Sequence, residues 1–415
     1  MPTVVDARQA VEAAARESYG RLISYLSARC GDVALAEDAL GDAFLTALRT
    51  WPERGVPERP EAWLLTAARN RLIDHTRRAQ VRTEHAAALE LAARDAEQAA
   101  TFEDEFPDDR LKMLFLCADP AVDASVRTPL MLQTVLGLDA ARIASAFLVS
   151  PAAMSQRLVR AKARIRDQHI PFEVPAPREL ATRLDAVTQA IYAAYARGWE
   201  DQTGADAEAS GLSDEAIWLA RVLVRLIPSE PEARGLLALM LHCEARREAR
   251  RSEDGRYVPI TEQDVHQWNM SMVEEAERHL YAAAKQNKPG RFQLEAAIQS
   301  VHADRARTGR TEWGAIAQLY EGLVSLAPTA GALVGRAAAM SEVNGPAAGL
   351  ALLEELQDEA VRIHQPFWAV RAHLLARLSR AEEARAAYDR AIGLAEDEAV
   401  RRFLISRQSA VVSSR

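Results

Sequence analysis

The residues best equipped for chemistry are Gln156, Arg157, Arg160 and Arg164, with the small Ala153 beside them. On a helix of 3.6 residues per turn these positions share one side, and Met154, Leu158, Ala161 and Ile165 share the other. A short helix with one dry side and one Arg/Gln side suits insertion into the DNA major groove. The same pattern also fits an ordinary amphipathic helix pair with a solvated basic face. Bond-making chemistry is not indicated. No nucleophile–base pair, phosphate loop or HExxH spacing occurs, and Cys30, Cys117 and Cys243 are far apart. The expectation is a protein that is not an enzyme and needs no metal or cofactor.

The basic face needs a support that aims it. The stretch Asp139 to Asp167 (DAARIASAFLVSPAAMSQRLVRAKARIRD) reads as helix, break, helix. Asp139 is a candidate N-cap, and Ile143 and Phe147 sit four apart on an apolar face. Leu148, Val149 and Ser150 make the break. Ser150 then caps the second helix, with Pro151 at the first helical position, where its missing N–H costs nothing. This is a helix-turn-helix candidate.

At 415 residues the chain has room for two or three domains. Ala and Leu dominate and β-branched runs are short, so the predicted class is all-α. No apolar run approaches membrane-spanning length, and the N-terminus lacks a signal-peptide pattern, so a cytoplasmic protein with no membrane partner is expected. The net charge of −8 looks wrong for a DNA binder. Charge acts locally, however, and Arg157, Arg160, Lys162, Arg164 and Arg166 stand against Asp167 alone in the second helix.

Residues 7–79 read as a small helical domain. Tyr19, Leu22, Ile23 and Leu26 form an apolar stripe. In the helix Leu35 to Trp51, Leu40, Phe44, Leu48 and Trp51 repeat at core spacing. Glu37, Asp38 and Asp42 lie early in it, near the positive end of the dipole. They form either a solvated acidic face or a docking surface for a basic partner. Pro52 to Pro60 breaks the chain, and a third helix runs from Glu61 to Arg78. There Leu65, Ala68 and Leu72 point inward, while Asn70, Asp74, Arg77 and Arg78 are polar. With Trp63 they could grip single-stranded DNA, although Trp63 alone fits a core position equally.

The blocks LAEDALGDAFLTALRTWP…PEAWLLTAARNRLIDHTRR and LQTVLGLDAARIASAFLVSPAAMSQRLVRAKARIRD, in this order, resemble regions two and four of the extracytoplasmic-function sigma factors of bacterial RNA polymerase. The resemblance implies a subunit that directs core polymerase to promoters. It implies that Leu35, Asp38, Asp42 and Phe44 dock on the β′ clamp helices and that region four meets the β flap. It implies that Trp63, Asn70, Asp74, Arg77 and Arg78 melt and read the minus-10 element. Ala153, Gln156, Arg157, Arg160 and Arg164 would read the minus-35 element. A Thr and a Lys common in the family are replaced here by Ala153 and Ser155. The acidic linker 80–107, ending in Glu103, Asp104 and Glu105 before Asp108 and Asp109, would thread the polymerase cleft. Region four would occupy 108–169, with Leu111, Leu114, Phe115, Pro129, Leu132 and Val135 as packing residues. The alternative is a helix-turn-helix regulator that does not associate with polymerase.

After a Pro-rich hinge at 170–177, residues 178–410 continue as helix with weak repetition. Ala384, Tyr388 and Ala391 share a spacing with Ile316, Tyr320 and Leu323, followed by Pro328, and with Ala216, Ala220 and Leu223, followed by Pro228. Gly309 and Gly345 fall at expected turns, and Arg380 takes that place in the last repeat. The pattern predicts a solenoid of helical hairpins. Together with YVPITEQDVHQW, RFQLEAAIQSVHA and GPAAGLALLEEL it resembles the sigma subgroup with a C-terminal tetratricopeptide-like domain (ECF42). One departure is Gly335, where related sequences often carry Asn. The resemblance implies a built-in regulator. Tyr257, Glu262, Gln263, Asp264, His266, Trp268 and Asn269, with Gln293, Gln299 and His302, could line a site for a peptide or small-molecule signal. They fit equally an inter-repeat loop with capping residues.

Overall fold

A computed structural model describes residues 4–80, 108–147, 149–200, 207–356 and 364–413. Among them helix is the only repeating structure, apart from one isolated antiparallel bridge between Arg251 and Tyr257. The protein is all-α, as its composition predicts. No helix among the described residues is long and apolar enough to cross a membrane. The chain divides into two compact units, Met1–Trp199 with Asp206–Leu219, and Glu200–Ala205 with Ala220–Arg415.

The first unit opens with α1 (Val4–Cys30), α2 (Val33–Arg54) and α3 (Pro60–Gln80), packed as a three-helix bundle. Its core is Leu22, Ile23 and Leu26 from α1, Leu40, Ala43 and Trp51 from α2, and Leu64 and Ala68 from α3. Asp32 caps α2, accepting from the backbone N–H groups of Ala34 at 2.9 Å and Leu35 at 3.3 Å. The expected break at Pro52 does not occur there. The helix continues to Arg54 and ends at Gly55, whose φ of 87° closes it. Pro52 lies in the last turn, and the carbonyl it leaves without a donor belongs to the exposed residue Leu48.

Next come α4 (Arg110–Cys117), α5 (Ala124–Leu136), α6 (Ala140–Ala146) and α7 (Pro151–Asp167). Leu114, Phe115, Leu132 and Val135 are buried as expected. The unit is completed by α8 (Pro177–Glu200) and the start of α9 (Ala207–Leu226). Helix α8 is tied to the preceding module. Thr128 Oγ1 donates to the Ala190 carbonyl at 3.0 Å, and Arg183 donates to the Phe115 carbonyl at 2.8 Å and pairs with Asp119 at 2.9 Å. The packing division therefore falls inside α9, later than the hinge at 170–177 suggests. Val187, Ile191 and Ala194 are fully buried, and an apolar stripe of that kind must be covered by something.

In the second unit successive helices pack on one another. They are α10 (Pro231–Ala245), α11 (Met270–Ala284), α12 (Arg291–Ala303), α13 (Arg305–Thr308), α14 (Trp313–Leu326), α15 (Ala330–Asn344), α16 (Pro346–Glu354), α17 (Gln365–Arg377), α18 (Ala381–Gly393) and α19 (Glu398–Ser413). Ile316 and Leu323 of α14 and Ala384, Tyr388 and Ala391 of α18 are buried, with Tyr320 half-buried. Gly309 and Gly345 take φ values of 72° and 88°, which side chains rarely adopt, and each closes a helix. At Gly335 the constraint is space: a Cβ there would stand 2.4 Å from the ring of Tyr320, so a side chain at this position requires that ring to shift.

His302 is packed edge-on against Trp313, with ring centroids 5.6 Å apart. Burial, and then the charges of Arg246 and Arg305, push its imidazole down to about 4. The native state therefore holds His302 neutral while the unfolded chain takes up a proton below about pH 6.5. Stability is full above that pH and falls as pH drops toward 4, by up to roughly 3 kcal/mol. Denaturant titrations at pH 7 and pH 5 should show a smaller acid loss in His302→Phe than in the parent chain; equal losses would contradict this assignment.

Candidate nucleic-acid interface

The helix-turn-helix is built from local signals. Asp139 Oδ1 accepts from the N–H groups of Ala141 and Arg142, both at 2.9 Å, and starts α6. Ser150 sits in extended conformation and its hydroxyl accepts from Ala153 N–H at 3.2 Å, with Pro151 opening α7. Leu148, expected in the break, lies outside the described residues. Ile143 is buried and Phe147 half-buried.

Helix α7 splits as its sequence predicts. Met154, Leu158, Ala161 and Ile165 are buried. Gln156, Arg157, Arg160 and Arg164 are exposed, with Ala153 half-exposed on the same stripe. Arg160 Nε donates to the Gln156 carbonyl at 3.3 Å, which leans that guanidinium along the helix. Val159, 62% exposed, adds an apolar edge to this face.

Two basic residues of α7 depart from expectation. Lys162 is buried and ion-paired with Glu37 of α2. Arg166 pairs with Asp167 at 2.9 Å and reaches Asp32 at 3.7 Å. Position 162 lies half a turn from Arg160 and Arg164, so it faces protein. Burial lifts the Glu37 carboxyl above the usual range, with the Lys162 ammonium pulling the other way. Glu37 therefore belongs to no solvated acidic face.

On α2, Asp38 and Asp42 are exposed, and Leu35 and Phe44 are half-buried at the edges of that face. Leu48, expected in the core, is 42% exposed, and Leu45 is 54% exposed. Counting 100° per residue, Asp38, Asp42, Leu45 and Leu48 form one stripe opposite the buried Ala36, Leu40, Ala43 and Ala47. The apolar residues run round the helix, onto its exposed side as well as its buried one. Arg71 of α3 stands 3.7 Å from Asp42 and extends the face.

On α3, Trp63 is half-buried, its ring edge-on to Trp51 at 5.5 Å, and Asn70 is exposed. The side chains of Asp74, Arg77 and Arg78 lie outside the described residues, as does the linker 81–107 with Glu103, Asp104 and Glu105. Asp108 and Asp109, the end of that acidic run, are ion-paired, the first half-buried and the second buried. Asp108 pairs with Arg110 at 2.5 Å, and the buried Asp109 pairs with Lys112 at 2.8 Å and Arg29 at 3.5 Å.

The polar segment of the second unit behaves as capped loop. Asp264 accepts from His266 N–H at 3.0 Å and Asn269 from Met272 N–H at 3.2 Å. Gln263, Trp268, Gln293 and His302 are buried, and Tyr257 stacks edge-on with Phe403 at 5.5 Å. Glu262 pairs with Arg407. Among the described residues no His, Cys, Asp and Glu group is arranged to hold a metal ion.

Comparison with known proteins matches two stretches of the chain to families. Residues 15–82, spanning α1 to α3, match the sigma-70 region 2 family. Residues 183–284, from α8 to the end of α11, match a family of unknown function, DUF6596. An uncharacterized protein of Rhizobium meliloti (strain 1021) is 39% identical over 390 residues, covering 93% of this chain and 91% of its own length. No solved structure matches. The three-helix bundle carries a sigma-70 region 2 match, which supports a sigma-factor class. The chain belongs to the same family as the Rhizobium meliloti protein.

Removing the α7 cap should show how far the reading face depends on it. Ser150→Ala is expected to cost about 1 kcal/mol in denaturant titration; a change below a few tenths would mean that Pro151 and the buried seam alone start the helix.

Proposed function

We propose that this chain is a promoter-recognition subunit that directs core RNA polymerase to a two-part start site and performs no chemistry itself. Module two, residues 7–79, docks on the polymerase β′ clamp helices through α2 and engages the minus-10 element through α3. Module four, residues 108–169, meets the β flap and reads the minus-35 element through α7. The observation that carries the reading is the exposed stripe Asp38, Asp42, Leu45 and Leu48 on a sigma-70 region 2 bundle. Two large apolar side chains left in water beside two carboxylates suit a partner surface with apolar contacts and a basic rim. A regulator using only its helix-turn-helix has no use for that stripe.

On α7 the exposed Gln156, Arg157, Arg160 and Arg164 supply base-edge and phosphate contacts. With Ala153 and Ser155 in place of the family's Thr and Lys, the bases read differ from the common pattern while the arginine anchors remain. The second unit is a helical-repeat regulator of tetratricopeptide-like kind, and its input is a peptide or small molecule. The succession of paired helices and the glycine-closed turns at Gly309 and Gly345 support that reading.

Two outcomes test it. Leu45→Glu with Leu48→Glu, both at exposed positions, should leave the melting curve unchanged and reduce run-off transcription with sigma-free core polymerase at least tenfold; undiminished transcription would contradict docking through α2. Arg157→Ala should weaken promoter binding by roughly 1–3 kcal/mol if it reads a base, or lower the salt slope by about one unit if it holds a phosphate. Neither change in a salt series of promoter affinities would remove Arg157 from the interface.

A further inference from the structure

The second unit holds a groove beside the polar loop considered for a signal. It is bounded by α11, α12, the short α13 and the start of α14. Its volume is about 930 Å³, within the roughly 300–1,000 Å³ that ligand pockets occupy. Much of its wall is apolar: Met270 and Val273 of α11, Val301 of α12 and Ala315 of α14. Its charges are acidic in excess, with Glu274, Glu277, Asp304 and Glu312 against Arg278 and Arg307.

Two of the four carboxylates already have a cation. Asp304 pairs with Arg307 at 2.9 Å and Glu312 with Arg310 at 2.7 Å. Glu274 and Glu277, three residues apart on α11, have no Arg or Lys partner. Ser300 Oγ donates to Glu277 Oε1 at 2.6 Å, and His242 of α10 sets Nε2 3.4 Å from the same oxygen. His242 is 3% exposed, and neither ring nitrogen has a hydrogen-bond partner. A buried imidazole left in that condition calls for an explanation, and it faces the carboxylate that lines the groove. Glu277 is thus held through Oε1, while its second oxygen accepts no hydrogen bond. A carboxylate already ordered gives up little freedom when a cation arrives, and a guanidinium or ammonium forms a charge-assisted hydrogen bond with it. Arg278 is exposed and makes no ion pair with Glu274, so its donors are open to the carbonyl groups of a bound backbone.

We propose that this groove is the signal-binding surface of the second unit and takes a peptide segment in which arginine or lysine adjoins an apolar residue. The inference rests on the reading of that unit as a regulator. The cation sits against Glu274 and Glu277, and the apolar neighbour packs on Met270, Val273 and Val301. The openness of the groove selects a peptide over a free small molecule. The Glu277 side chain is 46% exposed and Met270 48% exposed, so a small cation would keep much of its surface in water. Sites for small ligands bury most of the ligand. A segment lying along α11 from Met270 to Glu277, about 10 Å at 1.5 Å per residue, covers the acidic and the apolar positions together.

The probe is a capped, fluorescein-labelled Gly-Arg-Leu-Arg-Gly peptide, titrated with the full chain and followed by anisotropy. It should bind saturably, and the matching Gly-Glu-Leu-Glu-Gly peptide should not. Glu274→Gln with Glu277→Gln should weaken binding at least tenfold. Ala315→Trp fills the groove from an exposed position and should do the same with an unchanged melting curve. Glu253→Gln with Glu396→Gln removes the same charge at exposed positions outside the groove and should alter affinity less than twofold. No saturable binding of the arginine peptide, full affinity in both groove variants, or an equal loss in the control pair would overturn the proposal. Equally tight binding of N-acetylarginine amide would overturn it too, by assigning the groove to a small molecule. Run-off transcription with sigma-free core polymerase should change at least twofold when the arginine peptide is added to the parent chain, and not with the groove variants; an unchanged yield would overturn the signalling role. A chain that binds the peptide in the groove but never drives transcription would instead overturn the functional reading, so the two failures are distinguishable.

Discussion

Each candidate interface of this protein rests on one constraint: a helix must bury one stripe before it can present another. Helix α7 spends Met154, Leu158, Ala161 and Ile165 on the module core, and that fixes the rotation at which Gln156, Arg157, Arg160 and Arg164 meet solvent. Helix α2 obeys the same rule with Ala36, Leu40, Ala43 and Ala47 inside and Asp38, Asp42, Leu45 and Leu48 outside. Small alanines on the buried side let α2 approach its neighbours closely. Its large apolar residues are divided between core and surface, which leaves Leu45 and Leu48 in water.

Local signals made much of this legible. Ser150 followed by Pro151 marks the start of α7 in the sequence and in the structure, because capping and proline geometry depend on neighbours only a few residues away. Asp139 does the same for α6. The buried seam of α7 follows from 3.6-residue periodicity alone. The all-α class follows from composition. The sigma-70 region 2 match coincides with the block in which the docking and minus-10 residues were sought.

What was not legible depends on partners far away in the chain. Lys162 reads as one more cation on a basic helix, and only the fold shows that its counter-ion is Glu37, 125 residues earlier. Leu48 reads as core because hydrophobicity does not say which of two surfaces an apolar side chain serves. Gln263, Gln293 and His302 read as a polar lining, yet they are buried. Gln293 is satisfied by Glu232 at 3.2 Å and the Lys288 carbonyl at 2.9 Å. The packing division inside α9 depends on distant partners in the same way. A proline-rich stretch signals a break in helix, but it does not say which neighbour the next helix will cover.

The central claim is that two separate DNA readers act on one start site only when carried by polymerase. Nuclease footprinting on the gene's own upstream region, with purified chain alone and with sigma-free core polymerase added, tests it most directly. The account predicts two protected patches, about 25 base pairs apart, that appear only with polymerase present. A single patch of equal strength without polymerase, or no protection in its presence, would contradict it.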